Sequence, residues 1–513
     1  MPIRITGLNS GLDTESIISA LVSSYSYKTD KYKKAQTKLS WKQDAWKTLN
    51  TKIYSLYKNV SNLKYSSGYS TKTATVSDAT KASVSVSSSA VNGTQTLQIN
   101  DIATSGYLTG SVISKDGSDE AATADTTLKD LGYTGGETTI KVTDKSGGTT
   151  TEIKITSGMT ISEFTSELNN AGVAANFDVK NQRIFISSKS TGEKNDFTLK
   201  AQDDNADDAL KALGLCVEST AYDTTDTASF NTDTSRIKAA DAAITLNGVK
   251  FTSETNEFTV NGVSISALAK TGENEVITLT VATDAEAIYD KVKDFLSQYN
   301  SLMNEMTSLY NADSAKGYEP LTSDEKDSMS DEEVEKWESK IKASLLRRDD
   351  TLQGIMSVMQ NAMSKTYSIN GKNYALSSFG IKTLGSLNAA ENEQYAYHID
   401  GDEDDASTSG NEDKLLSAIK EDPDTVISFM KQLATNLYDA MDKKMKSTTL
   451  SSSYTIYNDK EMASEYSDYT DLITKWEDKL ADQEDYYYDK FSAMETALAK
   501  LNSQTSSLSG LFG

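Results

Sequence analysis

The chain has 513 residues, more than one ordinary domain holds, so several domains are expected. Its formal net charge of −24 argues against general binding to nucleic acid or to an anionic membrane. The single cysteine, Cys216, excludes an internal disulfide and is interpreted as a small buried hydrophobe. No run approaches the roughly 18 apolar residues of a membrane span, and the N-terminus is not expected to carry a cleaved signal peptide.

The N-terminal residues predict one long helix. Asp13 is a candidate N-cap, and neither Pro nor Gly interrupts the chain from there to residue 67. A short stripe at residues 17–25 and a polar segment come first. Apolar side chains then follow at spacings of three and four: Trp46, Leu49, Ile53, Leu56, Val60 and Leu63. This a/d stripe predicts a coiled-coil leg.

The C-terminal residues mirror this pattern. Their apolar and aromatic stripe comprises Ile473, Trp476, Leu480, Tyr487, Phe491, Met494, Leu498 and Leu501. Residues 28–58 carry a net charge of +7, whereas residues 459–490 carry −7. We therefore expect the two stripes to pair within one chain or between chains. The expected contacts join Trp46, Leu49, Ile53 and Leu56 to Trp476, Phe491, Met494 or Leu498. The alternative is that each helix packs on its own neighbouring domain.

Residues 70–281 predict β-rich domains, since segments such as ASVSVSSSA, TEIKIT, QRIFISS and EVITLTVAT alternate with period two. One helix interrupts them, with Ile161, Phe164 and Leu168 on one face and Gly172 as its stop. Helical patterns return after residue 284 in three candidates, 285–310, 330–365 and 412–445, the last broken near Pro423. Together the three predict a helical bundle.

Little in the sequence points to chemistry. His398 is the only histidine, which leaves no His-based metal cluster and room for no more than one Ser–His–Asp triad. The acidic run at 400–405 lacks the Gly and Glu positions of an EF-hand loop, and the segment 311–320 also fails that spacing. Walker and dinucleotide motifs are absent. We therefore predict a protein of assembly that is not an enzyme, with no catalytic residues, no metal site and no cofactor.

Several motifs, in order along the chain, resemble the flagellar filament cap proteins, the hook-associated protein 2 family. They are ITGLNSGLDTESIISALVS, GTQTLQINDIATSGYLTGS, MTISEFTSELNNAGVAANFDVKNQRIFISSKSTG, AADAAITLNGVKFTSETNEFTVNGVSISAL, DAEAIYDKVKDFLSQYNSL, DKLLSAIKEDPDTVISFM and KFSAMETALAKLNSQTSSL. The match spans nearly the whole chain. Two acidic stretches, around 321–338 and 400–413, depart from the family pattern.

The resemblance implies an α+β multidomain fold. It has terminal coiled-coil helices, an inner helical-bundle domain formed from both halves of the chain, and two β-rich inserted domains. The expected parts are an N-terminal leg at 1–66, inner helical segments at 67–105 and 284–457, a middle β-rich domain at 106–127 and 238–283, an outer β-rich domain with one short helix at 128–237, and a C-terminal leg at 458–513.

The resemblance also implies a function, that of a flagellar filament capping protein. It implies a homo-oligomeric ring, most often a pentamer, that retains exported flagellin at the distal filament tip and guides its polymerisation. Implied partners are other copies of the chain, flagellin, hook–filament junction proteins and a cytoplasmic export chaperone on the C-terminal helix, with no nucleic acid and no membrane. The implied location is extracellular, after flagellar type III export.

Two alternatives stay open at this point. One is another flagellar axial or junction protein, and the other is a surface adhesin whose β-rich domains, at about 110–240, bind host glycans; adhesion is also compatible with a cap as a secondary role. For the assembly stripes, Ile53→Asp is expected to abolish ring formation while the β-rich domains stay folded.

Overall fold

The computed structural model describes residues 10–118, 120–145, 148–215 and 233–512, with side chains as far as residue 508. Cys216, which was predicted to be buried, lies outside these residues. The chain divides into two compact units, one formed by Met1–Tyr69 with Ala285–Gly513 and the other by Ser70–Asp284. We call them the helical unit and the β-rich unit. In the described residues, no helix is long and apolar enough to cross a membrane.

The elements are numbered in chain order. The α-helices are α1 Thr14–Leu63, α2 Ile161–Asn170, α3 Asp204–Ala212, α4 Ala285–Asn311, α5 Ser323–Asp327, α6 Asp331–Ala343, α7 Asp350–Met363, α8 Lys414–Glu421, α9 Pro423–Met445 and α10 Asp459–Phe512. The strands of the β-rich unit are β1 Lys72–Val76, β2 Ala82–Val86, β3 Gly93–Asp101, β4 Tyr107–Thr109, β5 Thr138–Asp144, β6 Thr149–Ile155, β7 Ala174–Asp178, β8 Arg183–Ser187, β9 Phe197–Ala201, β10 Ser235–Ile237, β11 Ala242–Leu246, β12 Val249–Ser253, β13 Glu257–Val260, β14 Val263–Ala267 and β15 Ile277–Thr283. The helical unit adds β16 Tyr367–Ile369, β17 Lys372–Tyr374, β18 Ile381–Thr383 and β19 Tyr397–Ile399.

Both halves of the chain build the core of the helical unit. Buried side chains of α1 from Leu39 onward share one apolar cluster with α4, α7, α8 and α9. Two hairpins, β16–β17 and β18–β19, contribute further side chains to it. The predicted α+β multidomain fold, with an inner helical bundle drawn from both ends of the sequence, is confirmed.

Local signals account for several helix ends. The carboxylate of Asp13 accepts from the amide of Ser16 at 3.1 Å and caps α1, as predicted. α9 begins at Pro423, where the missing N–H costs nothing, so the predicted break is confirmed. The prediction of one helix at 330–365 is wrong, because the segment forms two helices, α6 and α7. Arg348 lies between them with φ of +54°, and Asp349 caps α7.

The β-rich unit contains two apolar clusters. One lies within a five-stranded sheet of order β1-β15-β3-β11-β12 and a three-stranded sheet of order β13-β14-β2. The other is covered by sheets of order β10-β4-β8-β7 and β6-β5-β9, with α2 and α3. A capping box between Thr160 and Glu163 starts α2, and Gly172, with φ of +103°, follows its end as predicted.

One predicted boundary and one predicted number of helices are corrected. The segment 67–105 was expected in the helical domain, but from Ser70 onward it belongs to the β-rich unit, because β1 pairs with β15 from Lys72 opposite Thr283. The outer domain was expected to hold one short helix. It also contains α3, which Asp203 caps and which buries Ala206 and Leu210, a pattern that the abundance of aspartates obscured.

Candidate assembly site

The first half of α1 packs antiparallel on α10. The rings of Tyr25 and Trp476 lie 6.3 Å apart between centroids. Further along α1, the rings of Tyr32 and Tyr469 lie 6.4 Å apart. Before the helix begins, the backbone amide of Ser10 donates to a carboxylate oxygen of Glu495 at 3.3 Å. Residue numbers therefore rise along α1 as they fall along α10, and we call this pair the terminal hairpin.

The stripe of α1 that faces into the terminal hairpin differs from the predicted one. It includes the buried residues Ile18, Val22 and Thr29. Thr29 interrupts the apolar pattern, and its hydroxyl donates to the carbonyl of Tyr25 at 3.2 Å. Because the hydroxyl is satisfied by its own helix, threonine occupies a buried position that a search for apolar spacing does not find.

The predicted N-terminal stripe lies in the core of the helical unit. Five of its six members, Trp46, Leu49, Ile53, Leu56 and Val60, are at most 3% exposed, and Leu63 is half-buried at the edge of the cluster. Within the chain, Trp46 stacks on Tyr457, whereas Trp476 lies against Tyr25. The structure therefore does not bring Trp46 and Trp476 together.

The placement of Ile53 changes what its substitution can report. Ile53 is 0% exposed and lies in the core of the helical unit. An aspartate there would bury an unpaired charge, which costs several kcal/mol. Loss of rings in Ile53→Asp would therefore report unfolding of the helical unit rather than loss of an interface.

The C-terminal stripe is graded along α10. Ile473 is buried at 9% exposure, and Leu501 is 57% exposed. The side chains between them are half-buried: Trp476, Leu480, Tyr487, Phe491, Met494 and Leu498. The stripe thus follows the terminal hairpin and becomes more exposed toward its C-terminal end.

The basic stretch of α1 has acidic partners on two sides. Lys33 pairs with Glu477 of α10 at 2.6 Å. Lys34, Lys42 and Lys52 pair instead with three carboxylates of the helical unit, Glu325, Asp349 and Glu305, at 2.7–2.9 Å. Charge attraction between the two termini is therefore one part of a wider set of ion pairs.

A second face of α1, which the sequence analysis missed, lies opposite the terminal hairpin. Its members recur at spacings of four and three: Tyr27, Lys31, Lys34, Lys38, Trp41, Ala45, Thr48 and Lys52. Pockets follow this face where it meets α4, α6 and the segment before α5. The heptad spacing was visible in the sequence, but lysines hid it from a search for apolar stripes.

The acidic segment 400–413 forms ion pairs and hydrogen bonds within the chain. Lys293 contacts Asp402 and Asp404 at 2.6 Å each, and the ring Nδ1 of His398 lies 2.6 Å from Asp405. Hydrogen bonds to the two aspartates raise the pKa of Lys293, and the lysine lowers the pKa of Asp404. Among the described residues, no group of three or more His, Cys, Asp or Glu side chains is arranged to hold a metal ion.

Two family models match the chain. "Flagellar hook-associated protein 2 N-terminus" matches residues 10–106, and "Flagellar hook-associated protein 2 C-terminus" matches residues 239–503. A relative named flagellar hook-associated protein 2 from Halalkalibacterium halodurans is 24% identical over 99% of this chain and 100% of its own length. One of the same name from Thermotoga maritima is 25% identical over 70% of this chain and 53% of its own length.

A solved structure is also similar. It is the crystal structure of the D1-D2-D3 domains of the flagellar cap protein FliD from Escherichia coli, with a TM-score of 0.47, 20% identity, and coverage of 79% of this chain and 97% of that chain. The C-terminal family model alone matches more than half of the sequence. The chain therefore belongs to the flagellar hook-associated protein 2 family, the filament capping proteins that its motifs resemble.

Proposed function

We propose that this protein caps the distal end of the flagellar filament as a homo-oligomeric ring, most often a pentamer, which retains exported flagellin and guides its polymerisation. The observation that carries the proposal is the family similarity along the full length of the chain, since the Halalkalibacterium relative is covered end to end. The role is structural and not enzymatic. Contacts with flagellin and with hook–filament junction proteins belong to the same proposal.

The terminal hairpin supports this proposal. A hairpin of two long helices whose stripe is partly exposed offers surface for packing on a filament end or on a neighbouring copy. Trp476 and Leu498 are half-buried within this stripe, and Leu501 is largely exposed. The predicted N-terminal stripe acts through the core instead, where Trp46 to Val60 hold α1 in place.

The test is complementation of a strain from which the gene is deleted. The deletion strain is expected to lack filaments and to release flagellin monomers into the medium, and the full chain is expected to restore filaments. The Leu501→Asp variant, with Asp478→Asn on the exposed face of α10 as its control, is expected to release flagellin again. Normal filaments in the deletion strain would contradict the capping function.

Export and a chaperone extend the proposal. The protein reaches the filament tip through the flagellar type III channel, and a cytoplasmic export chaperone binds the C-terminal helix, whose apolar stripe is the surface such a partner would cover. A strain that lacks the export apparatus is expected to retain the protein in the cytoplasm. Secretion by that strain would contradict this route.

A secondary adhesion role is favoured by one observation. On the sheet of order β10-β4-β8-β7, Tyr107, Phe185 and Ile237 are 49%, 39% and 53% exposed and lie on one face. Exposed aromatic rings are surfaces on which sugar rings stack. Binding of mucin glycans is expected to fall in a Tyr107→Ala, Phe185→Ala double variant and to persist in Val249→Ala. Equal binding by both variants would contradict the role of this face.

A further inference from the structure

We propose that the ring closes through a head-to-tail contact in which Leu387 of one copy enters a pocket beside Trp41 of the next copy. The inference rests on the proposed ring and names the contact that forms it. We call residues 384–396, between β18 and β19, the Leu387 loop. We call the cavity that Trp41 lines the Trp41 pocket.

Leu387 stands out among the exposed apolar side chains. It is 97% exposed, whereas the next most exposed large apolar side chain of the described residues, Tyr27, is 71% exposed. The loop around it is held by its own backbone. Gly385, with φ of +77°, accepts hydrogen bonds from the amides of Asn388 and Ala389 at 3.2 and 3.0 Å. The turn therefore presents Leu387 outward from a defined backbone.

The far end of the Leu387 loop is fastened to α4. The side chain of Asn311 donates to that of Asn392 at 3.1 Å. The side chain of Asn300 both accepts from the amide of Tyr397 at 2.8 Å and donates to its carbonyl at 2.7 Å. Because the loop is already anchored, less conformational entropy is lost when Leu387 binds a partner.

The Trp41 pocket suits an apolar side chain. It has a volume of about 510 Å³ and is lined by Trp41, Asp44, Ala45, Thr48, Leu49, Glu305, Leu309, Lys342 and Leu345. Five of these nine residues are apolar, and the ammonium of Lys342 lies over the Trp41 ring at 4.5 Å from its centroid. An apolar wall with a few charged groups at its rim is the usual character of a binding pocket.

Loop and pocket lie on different sides of α4. Asn300 and Asn311 face the Leu387 loop, and Glu305 and Leu309 line the Trp41 pocket. At about 100° per residue, the two pairs point roughly 150° apart around the helix. A loop on one side of α4 is poorly placed to fill a pocket on the other side of the same helix. A head-to-tail ring requires two different surfaces that face in different directions, as the loop and the pocket do around α4.

The charges around the two surfaces are complementary. The Leu387 loop contains Glu391 and Glu393 and no basic residue, a net charge of −2. The pocket is bordered by residues 38–52 of α1, with a net charge of +3, by residues 338–350, with a net charge of +1, and by residues 301–310 of α4, with a net charge of −1. Complementary charge steers association and fixes orientation. It favours a second copy as the occupant, because the same chain carries both surfaces.

The first test uses one variant on each surface. Leu387→Asp alters the loop, and Thr48→Trp fills the pocket from an exposed position of α1 without entering the core. Leu268→Asp, at a 54% exposed position of the β-rich unit, is the matched control. Oligomeric state is measured by light scattering behind a sizing column. Wild type and control are expected to form rings, and each variant is expected to associate about tenfold or more weakly, since a leucine side chain loses its burial.

Mixing the two variants separates a head-to-tail contact from a symmetric one. The Thr48→Trp copy keeps its loop and the Leu387→Asp copy keeps its pocket, so an equimolar mixture is expected to form a heterodimer that cannot grow. A second measurement joins Leu387→Cys to Thr48→Cys in a Cys216→Ser background. Oxidation is expected to give covalent oligomers, and the pair Leu268→Cys with Thr48→Cys is expected to give none.

The outcomes distinguish this contact from the ring itself. Rings that persist in both variants, or an absence of cross-links in an assembled ring, would overturn the Leu387 contact and leave the capping ring standing. Wild-type protein that is monomeric at every concentration would overturn the ring, and this contact with it. Variants that unfold are recognised by their tryptophan fluorescence, and the cysteine pair then decides the question.

Discussion

Trp46 and Tyr457 stack with ring centroids 5.5 Å apart and planes inclined by 9°. Tyr457 lies two residues before α10 begins, so the stacked pair holds the start of α10 against α1 where α1 enters the core. From there, Tyr32 with Tyr469 and then Tyr25 with Trp476 continue the contact along the terminal hairpin. The C-terminal half of α1 therefore packs in the core of the helical unit, and its N-terminal half packs on α10 in the terminal hairpin.

Shortening Ile53 should destabilise the helical unit. The side chain is fully buried, so Ile53→Ala is expected to lower the free energy of unfolding by about 2–5 kcal/mol, and Ile53→Val by about 0.5–1.5 kcal/mol. All four tryptophans lie in the helical unit, so their fluorescence during urea unfolding reports on that unit. Lys47→Ala, on the exposed side of α1, is the control. An unfolding midpoint in Ile53→Ala equal to that of the control would contradict the core position.

Removing the ring of Trp476 should open the terminal hairpin without unfolding the core. The ring faces Tyr25, and the ammonium of Lys28 lies 4.2 Å from its centroid. Trp476→Ala is expected to cost about 1–3 kcal/mol of local stability. Amide exchange in residues 14–39 should then speed up while α9 keeps its protection. Asp478→Ala serves as the neighbouring control, and unchanged exchange in 14–39 would refute the pairing.

The β-rich unit contains a buried ion pair that the sequence did not indicate. Nη2 of Arg236 lies 2.6 Å from Oδ1 of Asp196, and the two side chains are 1% and 6% exposed. Arg236→Ala leaves the aspartate buried without its cation, so a loss of about 3–5 kcal/mol is expected. The double variant Arg236→Met, Asp196→Leu is expected to recover most of that loss. Calorimetry of the β-rich unit's transition measures both, and a double variant no better than the single one would contradict the account.

The acidic segment 400–413 should loosen in acid. Burial raises the pKa of Asp405, but hydrogen bonds from His398 and from the amide of Ser407 outweigh it, so that the pKa lies below the ordinary 3.8. The lysine Lys293 likewise lowers the pKa of Asp404. A carboxyl whose pKa is lower in the folded state stabilises that state above its unfolded pKa, and this contribution is lost as pH falls through the folded pKa. Amide protection of 400–413 should therefore persist at pH 5 and decline below about pH 3.8.

Lys293→Met tests the origin of this pH dependence. The variant removes the ammonium that contacts Asp402 and Asp404. Amide protection of 400–413 should therefore already be lower than in the wild type at pH 5, and it should decline less as the pH is lowered further. Lys443→Met, in the last turn of α9, is the control. A pH profile of Lys293→Met that superimposes on that of the wild type would show that the ion pairs do not hold this segment.

The sequence by itself determined the features whose physical cause is local. The cap at Asp13, the break at Pro423 and the capping box of α2 each depend on residues within four positions of one another. The alternation that predicted strands is local as well, because successive side chains of a strand point to opposite faces. The family motifs, in their order along the chain, supported the functional inference for the same reason. A sequence motif is recognised without knowledge of the tertiary structure.

Only the tertiary structure decided which surface each stripe faces. The stripes that begin at Ile18 and at Trp46 share a helix and a spacing, yet one faces α10 and the other faces α4, α7 and α9. Helix periodicity defines a face but not its partner, because the partner is set by side chains hundreds of residues away. The same holds for Arg236 with Asp196 and for the Trp41 pocket, whose members come from α1, α4, α6 and the turn after α6. Burial and charge pairing are properties of the assembled surfaces, and they exist only once the chain has folded.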